Sequence, residues 1–367
     1  MTLSTGPVKT LGVGIVGLSA DGGWGARGHL PALRAVEGFE VRGLTASSPQ
    51  TAEKSAAAHG IAKTYPGVAE LAADDDIDLV VVTVRVARHR ELIIPALEAG
   101  KAVLSEWPLA NGLAEAEELA ALAERYDVRT AVGLQARSAP PVRYLHDLIA
   151  EGYVGEVLST TLVASGGGWG PVVPDRTAYT IDKSNGATLL TVPFGHTVDA
   201  LTLVLSDFET LNATTATRRP QVRHADTGAL LTQTAEDQIA VTGRLESGAV
   251  ASVHYRGGST RSTNLLWEIN GTEGDLVVTG DSGHLQFGQF TLRGARGGDT
   301  LTELPVPERY TEVPGLTGPG TPVAYAYAQL RADIENGTTT VPDFAHGARH
   351  HRLLDRIQKS AESGTRQ

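Results

Sequence analysis

The chain has 367 residues, with 31 Lys and Arg against 42 Asp and Glu, a formal net charge of −11. Its 41% hydrophobic and 20% charged residues fit a soluble globular protein of about two domains. The absence of cysteine excludes disulfides, thiolate zinc sites, iron–sulfur clusters and a cysteine nucleophile, and the acidic balance with few aromatics argues against nucleic acid as a partner.

Met1 to Lys9 lacks the charged, apolar and small-residue order of a signal peptide, and no apolar run reaches the roughly 18–20 residues of a membrane span. A cytoplasmic protein without membrane contact is expected. Leu11 to Leu18 is a near-continuous apolar and Gly run, as a strand buried on both faces would be. A helix is predicted over His29 to Glu37, a strand over Phe39 to Leu44 and a helix over Thr51 to His59. Asp78 to Val84 is the clearest central strand, followed by a helix over Glu91 to Ala99 that ends at Gly100. A strand at Lys101 to Ser105, a helix at Leu113 to Tyr126 and a strand at Val128 to Gly133 complete the set. This alternation specifies a doubly wound, parallel α/β sheet, a Rossmann-like domain over residues 1–134.

The pattern then changes. Arg143 to Glu151 reads as a helix, Val157 to Ala164 as a strand and Ser165 to Gly170 as a Gly-rich loop. Strands with period-two alternation follow at Gln238 to Leu245, Ala249 to Arg256, Asn264 to Asn270, Asp275 to Thr279 and His284 to Leu292. Leu301 to Pro322, rich in Pro, Gly and Thr, reads as a long surface loop, and His346 to Ser360 as a closing helix. Residues 135–367 are therefore expected to form an α+β domain built on a large, mostly antiparallel sheet, for substrate binding and oligomerisation.

A doubly wound sheet binds ligands beyond the carboxyl ends of its strands, so the first strand-to-helix turn is where a dinucleotide would sit. Gly12-Val13-Gly14-Ile15-Val16-Gly17 formally matches G-x-G-x-x-G but lies within the strand. The working turn is read as 17–24, with Gly17 making the turn, Ser19 at the usual second glycine, and Gly22 and Gly23 allowing approach of a pyrophosphate. Trp24 closes it. The end of the second strand, Leu44-Thr45-Ala46-Ser47-Ser48, carries no acid for a ribose. NAD is expected as cofactor, with NADP open.

Several segments carry a family resemblance. Ile15 to Gly17 with His29-Leu30-Pro31-Ala32-Leu33, residues 96–110 from Ala96 through Ser105-Glu106-Trp107-Pro108 to Ala110, and Asn185-Gly186-Ala187 through His196-Thr197-Val198-Asp199 resemble the glucose–fructose oxidoreductase, inositol dehydrogenase and rhizopine-catabolism (Gfo/Idh/MocA) family. The turn at 17–24, Ser-Glu-Trp-Pro at 105–108 and 191–199 look like the branch that includes the fungal galactose-pathway repressor. The resemblance implies cofactor contacts from Gly17, Ser19, Gly22, Trp24, Ser47, His89, Glu106 and Trp107, with Glu106 on the nicotinamide ribose. The family's E-K-P lysine is here Trp107, and its acid four residues before the motif histidine is Val192.

Hydride transfer from an alcohol needs a base for the hydroxyl proton. His196 is the first candidate, since imidazole titrates near neutrality, with Asp199 one turn on; the bland alternative is a hydrogen-bonded core histidine. Lys183 is the second, as a base or an anion-binding group, against the alternative of a solvated surface lysine. Tyr179 stands with them as a catalytic candidate. Arg137, Arg176, Asp182, Trp107 and Trp169 complete the expected substrate pocket, the tryptophans by stacking on a sugar face. His346 and His350 have metal spacing but read as surface residues, and no metal is expected. Three functions compete. The first is NAD(P)-dependent redox chemistry on a sugar or glycoside hydroxyl, with a redox-assisted glycoside hydrolase acting on an anionic sugar such as a sulfoquinovoside as a variant. The second is a non-catalytic dinucleotide-sensing co-regulator, and the third a plain sugar dehydrogenase. A homodimer or homotetramer is expected through the antiparallel sheet.

Overall fold

The computed structural model describes residues 9–287, 290–311, 313 and 315–367. In chain order the first elements are β1 (Leu11–Val16), α1 (Leu30–Ala35), β2 (Phe39–Thr45), α2 (Pro49–His59), β3 (Lys63–Thr64), α3 (Val68–Ala73) and β4 (Leu79–Val82). Next come α4 (His89–Glu98), β5 (Ala102–Glu106), α5 (Leu113–Tyr126) and β6 (Thr130–Gly133). Then follow α6 (Pro140–Ala150), β7 (Val157–Gly166), β8 (Val172–Val173), α7 (Gly195–Leu205), β9 (Phe208–Ala216), β10 (Gln221–His224), β11 (Leu230–Thr232) and β12 (Gln238–Leu245). The last are β13 (Val250–Gly257), β14 (Leu265–Gly271), β15 (Gly274–Gly280), β16 (Phe290–Arg296), β17 (Thr302–Glu303), α8 (Gly320–Asn336) and α9 (Phe344–Ser363).

The chain forms two compact units. The first holds residues 1–109, 115–133 and 313–347 and is built on a six-stranded parallel sheet in the order β3-β2-β1-β4-β5-β6. Its strands are near-continuous apolar runs, as strands covered on both faces are: Leu79, Val80, Val81 and Val82 are all buried. Helices α1 and α2 pack on β2, α3 on β1 and α4 on β4 and β5. A single boundary at 134/135 would place 313–347 in the second domain; the contacts assign it to the first. The reason is the apolar face of α8. Val323, Ala324, Tyr327 and Leu330 join Leu30, Leu33, Phe39 and Val81 in one buried cluster, and Arg331 donates to the Lys9 carbonyl at 2.9 Å.

The second unit holds 110–114, 134–312 and 348–367. Its main sheet has eight strands in the order β17-β16-β15-β14-β7-β13-β12-β9, antiparallel except for the β13–β7 pair. A three-stranded sheet, β11-β10-β8, stands beside it in sequence. In β13 the alternation buries Ala251, Val253 and Tyr255 and leaves Val250, Ser252 and His254 exposed. Trp267 and Ile269 of β14 and Leu162 and Ala164 of β7 continue that buried face.

Three expectations are corrected. The strand read over His284 to Leu292 includes 288 and 289, which lie outside the described residues; of the rest, 284–287 is a turn and β16 begins at Phe290. Leu301 to Pro322 is not one long loop: it contains β17, a short 3-10 turn at Glu308–Tyr310 and the start of α8, with residues 312 and 314 outside the description. His350 is buried, not on the surface, and its Nε2 meets the Gly195 carbonyl at 2.9 Å. Among the described residues no helix is long and apolar enough to cross a membrane.

Candidate functional site

In the first unit, β1 ends at Val16 and Gly17 turns the chain with φ +93°. A Cβ there would lie 2.5 Å from Val84 Cγ1, so only glycine fits. The Gly17 N–H donates to the Thr45 carbonyl (3.0 Å), and the Thr83 hydroxyl donates to the Val16 carbonyl (3.0 Å). These bonds tie together the carboxyl ends of β1, β2 and β4. Beyond them opens a cavity of about 420 Å³. Gly17, Ser19 and Ser47, three of the expected cofactor residues, line it, and so do Val68, Arg88 and Leu92, which the sequence did not single out. Gly12 and Gly14 are instead strand residues: a Cβ on Gly12 would fall 1.8 Å from the Asp76 carbonyl oxygen.

The lining suits the adenosine half of a dinucleotide. Leu18, Val68, Val84 and Leu92 offer apolar walls for a base, and Ser19, Ser47 and Thr51 offer hydroxyls. Among the described residues no carboxylate lines it. Its cation, Arg88, pairs with Glu91 at 2.5 Å.

Glu106 closes β5 within the same unit and is 8% exposed. His29 Nε2 lies 2.7 Å from Glu106 Oε1, and His29 Nδ1 lies 2.8 Å from the Tyr327 hydroxyl. A carboxylate only accepts, so Nε2 carries the proton and Tyr327 donates to Nδ1. Burial, helped by the Glu106 charge, holds the Tyr327 phenol well above its ordinary value, so it remains a donor. Trp24 packs edge-on to His29 and covers Gly28. Gly22 takes φ +105° in the exposed turn, and Trp107 is buried. His89 is fully buried: Nε2 reaches the Val84 carbonyl (3.0 Å), while Nδ1 meets Ser105 Oγ (3.3 Å) and the Leu109 carbonyl (3.2 Å). Its ring nitrogens are thus committed to the protein itself, and desolvation depresses its pKa.

In the second unit, His196 and Asp199 lie on α7 and are both buried, at 2% and 0% exposure. Arg137, from the 3-10 turn Gln135–Ser138, places Nε 3.1 Å from Asp199 Oδ2. A residue the sequence did not single out stands beside them. The His284 ring lies 5.3 Å from that of His196, 5.9 Å from the Trp169 indole and 4.6 Å from the Phe287 ring, centroid to centroid. The turn that delivers it is fixed by close packing. The Thr197 hydroxyl donates to the Gly283 carbonyl (2.8 Å), the Gly283 N–H donates to the Ser165 carbonyl (3.0 Å), and a Cβ at Gly283 would meet Ser165 N at 2.4 Å. Gln286 Nε2 donates to Gln135 Oε1 at 2.5 Å and anchors the next residues.

Both imidazoles are held neutral. Burial, then the nearby His284 and His350, hold His196 well below its ordinary value against the pull of Asp199. Burial depresses His284 to about 3. His196 Nδ1, His284 Nε2 and Trp169 Nε1 are buried and have no hydrogen-bond partner among the described residues.

The remaining expected residues are outside this cluster or spent locally. Lys183 and Arg176 are exposed and Tyr179 is half-buried. Asp182 accepts from the Ser184 N–H and hydroxyl and from Thr234, which caps the short turn Lys183–Asn185. Asn185 Nδ2 donates to the Tyr179 carbonyl and closes the same segment.

Two family models match this chain. Residues 11–134 match the model of an oxidoreductase family with an NAD-binding Rossmann fold, GFO_IDH_MocA. Residues 140–280 match the model of the Gal80p C-terminal domain. The chain is 33% identical to dehydrogenase aclE of Aspergillus oryzae, over 97% of each protein. It is 30% identical to the galactose/lactose metabolism regulatory protein GAL80 of Saccharomyces cerevisiae, over 78% of this chain and 71% of that one. A crystal structure of a Gal80p super-repressor mutant from the same yeast superposes with a TM-score of 0.88 at 26% identity, over 98% of this chain and 97% of that one. The chain is also 26% identical to levoglucosan dehydrogenase of Pseudarthrobacter phenanthrenivorans, over 96% of this chain and 97% of that one.

Proposed function

The chain belongs to the Gfo/Idh/MocA family of NAD-binding oxidoreductases, and on that premise we propose that it is an enzyme oxidising a hydroxyl of a sugar or sugar-like alcohol, or reducing the matching carbonyl. The observation that carries this reading is His196: a buried, neutral imidazole with an unpartnered ring nitrogen, one turn from a carboxylate. A core histidine kept only for packing would have its nitrogens bonded, as those of His89 are.

NAD supplies the hydride acceptor when bound. The chain's own groups do the rest. Gly17, Ser19 and Ser47 receive the adenosine half, and Glu106, oriented by His29 and Tyr327, accepts from a ribose hydroxyl. His196 accepts the hydroxyl proton of the alcohol. Asp199, paired with Arg137, stabilises the imidazolium that results. Trp107 cannot perform the proton transfer that the family's lysine performs, so the step falls to His196. Lys183 and Arg176 stand in water and Tyr179 is half-buried, and all three are assigned to substrate contacts in this reading.

The glycoside-cleaving variant is not carried further, since the relatives reported above are named as dehydrogenases and a regulator. A second reading keeps its support. Trp107 and Val192 replace two of the family's usual catalytic groups, and the Gal80p likeness spans nearly the whole chain. In that reading the protein senses a dinucleotide and acts through a protein partner. One experiment separates them. Protein saturated with NAD is incubated with a panel of sugars and polyols, and NADH is followed by absorbance. Turnover that His196→Ala abolishes supports the enzyme; tight NAD binding with no NADH from any alcohol supports the sensor.

A further inference from the structure

We infer that a second cavity in the first unit, at the end of the sheet away from the nucleotide turn, binds a small aromatic or branched aliphatic carboxylate and, through α8, strengthens the hold on the cofactor. The cavity measures about 230 Å³ and is lined by the first residues of β1, β4, β5 and β6 and by Leu330 and Ile334 of α8. Leu79, Val103, Ala131 and Leu330 form buried apolar walls, and Ile334 a half-buried one. Protein interiors pack as densely as organic crystals, so an apolar hollow of this size is rare, and a cavity of about 150 Å³ already takes up benzene. This one has room for a ring or a branched chain with a short arm.

Two charged side chains belong to the lining, and they differ in what they have left to offer. Asp78 is spent: Oδ1 accepts from Lys9 Nζ at 2.9 Å and Oδ2 from the Gly12 N–H at 2.8 Å. Arg129 donates from Nη1 to the Thr338 carbonyl at 2.8 Å, and its Nε and Nη2 have no partner among the described residues. A planar guanidinium with donors to spare matches a carboxylate, and the apolar walls take the rest of the molecule. An amine would meet the same positive charge, and a neutral molecule would leave it unanswered. The consequence runs along the helix. Leu330 and Ile334 stand one turn apart on α8, and Tyr327 stands one turn before Leu330 on the same stripe. The Tyr327 hydroxyl bonds His29 Nδ1, and the other nitrogen of that ring holds Glu106. Leu79, Ala131, Leu330 and Tyr327 belong to one buried cluster, so a guest seated under Leu330 and Ile334 fastens the stretch of helix that carries Tyr327. This coupling, unlike the site, rests on the reading of Glu106 as a cofactor contact.

Calorimetry on the full chain without cofactor tests the site, with phenylacetate, 3-phenylpropanoate and 4-methylpentanoate as probes against 3-phenylpropanamide and 2-phenylethylamine. At least one acid is expected to bind roughly tenfold more tightly than the amide, with the amine weakest. Arg129→Gln should erase the preference for acid over amide, and Ile334→Trp, which fills the hollow, should weaken every probe, each variant being checked for folding by thermal unfolding. NADH should bind about fivefold or more tightly in the presence of the tightest acid, and NADH should tighten that acid by the same factor, since linkage is reciprocal. The site is refuted if no acid binds, if the amide binds as tightly, or if both folded variants bind the acid as the parent does. Acid binding that leaves NADH affinity unchanged overturns the control through α8. None of these results touches the oxidoreductase reading, which stands or falls on NADH formation and on His196→Ala.

Discussion

Acidification from pH 8 to pH 5.5 is expected to destabilise the second unit through its two facing imidazoles. In the folded protein His196 is held well below its ordinary value and His284 near 3, in both cases chiefly by burial. In the unfolded chain each titrates near 6.5. The fold therefore keeps neutral two groups that the unfolded chain protonates. Their contribution is intact above about pH 6.5 and is lost as pH falls, for His284 over the whole span down to about 3. At pH 5.5 an unfolded histidine is favoured by about RT ln 11, so His284 alone costs roughly 1.4 kcal/mol and His196 adds a loss of the same sign. That is a large share of a typical stability of about 5–15 kcal/mol. Urea unfolding at both pH values, followed by indole fluorescence, measures the loss. His284→Gln should remove about 1.4 kcal/mol of it. An equal pH-linked loss in parent and variant, or a His284 proton resonance titrating near pH 6.5, would refute the reasoning.

Gly17→Ala forces a left-handed backbone and a Cβ contact with Val84, and is expected to cost about 1–3 kcal/mol and most NADH affinity, read by thermal unfolding and fluorescence titration. Tyr327→Phe strips the donor from buried His29 Nδ1 and should weaken NADH binding several-fold, with a stability loss of about 1–3 kcal/mol; unchanged affinity would deny Glu106 a role at the cofactor. Arg137→Met deprives buried Asp199 of this ion pair and should cost about 3–5 kcal/mol, of which adding Asp199→Leu restores part, measured by chemical denaturation of the single and double variants. Ser47→Asp puts a carboxylate at the end of β2, and calorimetry should find NADH tightened and NADPH excluded.

The parallel sheet was legible because buried strands such as Leu79–Val82 are apolar throughout, and because Gly17 follows the first of them directly. Helix α8 was not. It starts at Gly320 in a stretch full of Gly, Pro and Thr, and the face that orders it meets Leu30 and Leu33, some three hundred positions earlier. At the site, Gly17, Ser19, Ser47, Glu106 and His196 stood in recognisable local patterns. His284 did not: 284–292 alternates like a strand, and what makes its first part a turn is Gly283 pressed against Ser165 and held by Thr197, contacts no local window contains. The same limit hid Tyr327, whose relevance lies wholly in its bond to His29. Lys183 looked chemically apt in sequence, but its neighbours Asp182 and Ser184 close a small exposed turn around themselves.

The return of residues 313–347 to the first unit bears on how the chain is made. The nucleotide-binding unit cannot be completed while its early strands leave the ribosome, because α8 is translated long after β6. Until then the apolar seam on α1 stays bare, and the nascent chain has reason to need a chaperone. Excising residues 1–134 would yield an aggregating fragment for the same reason.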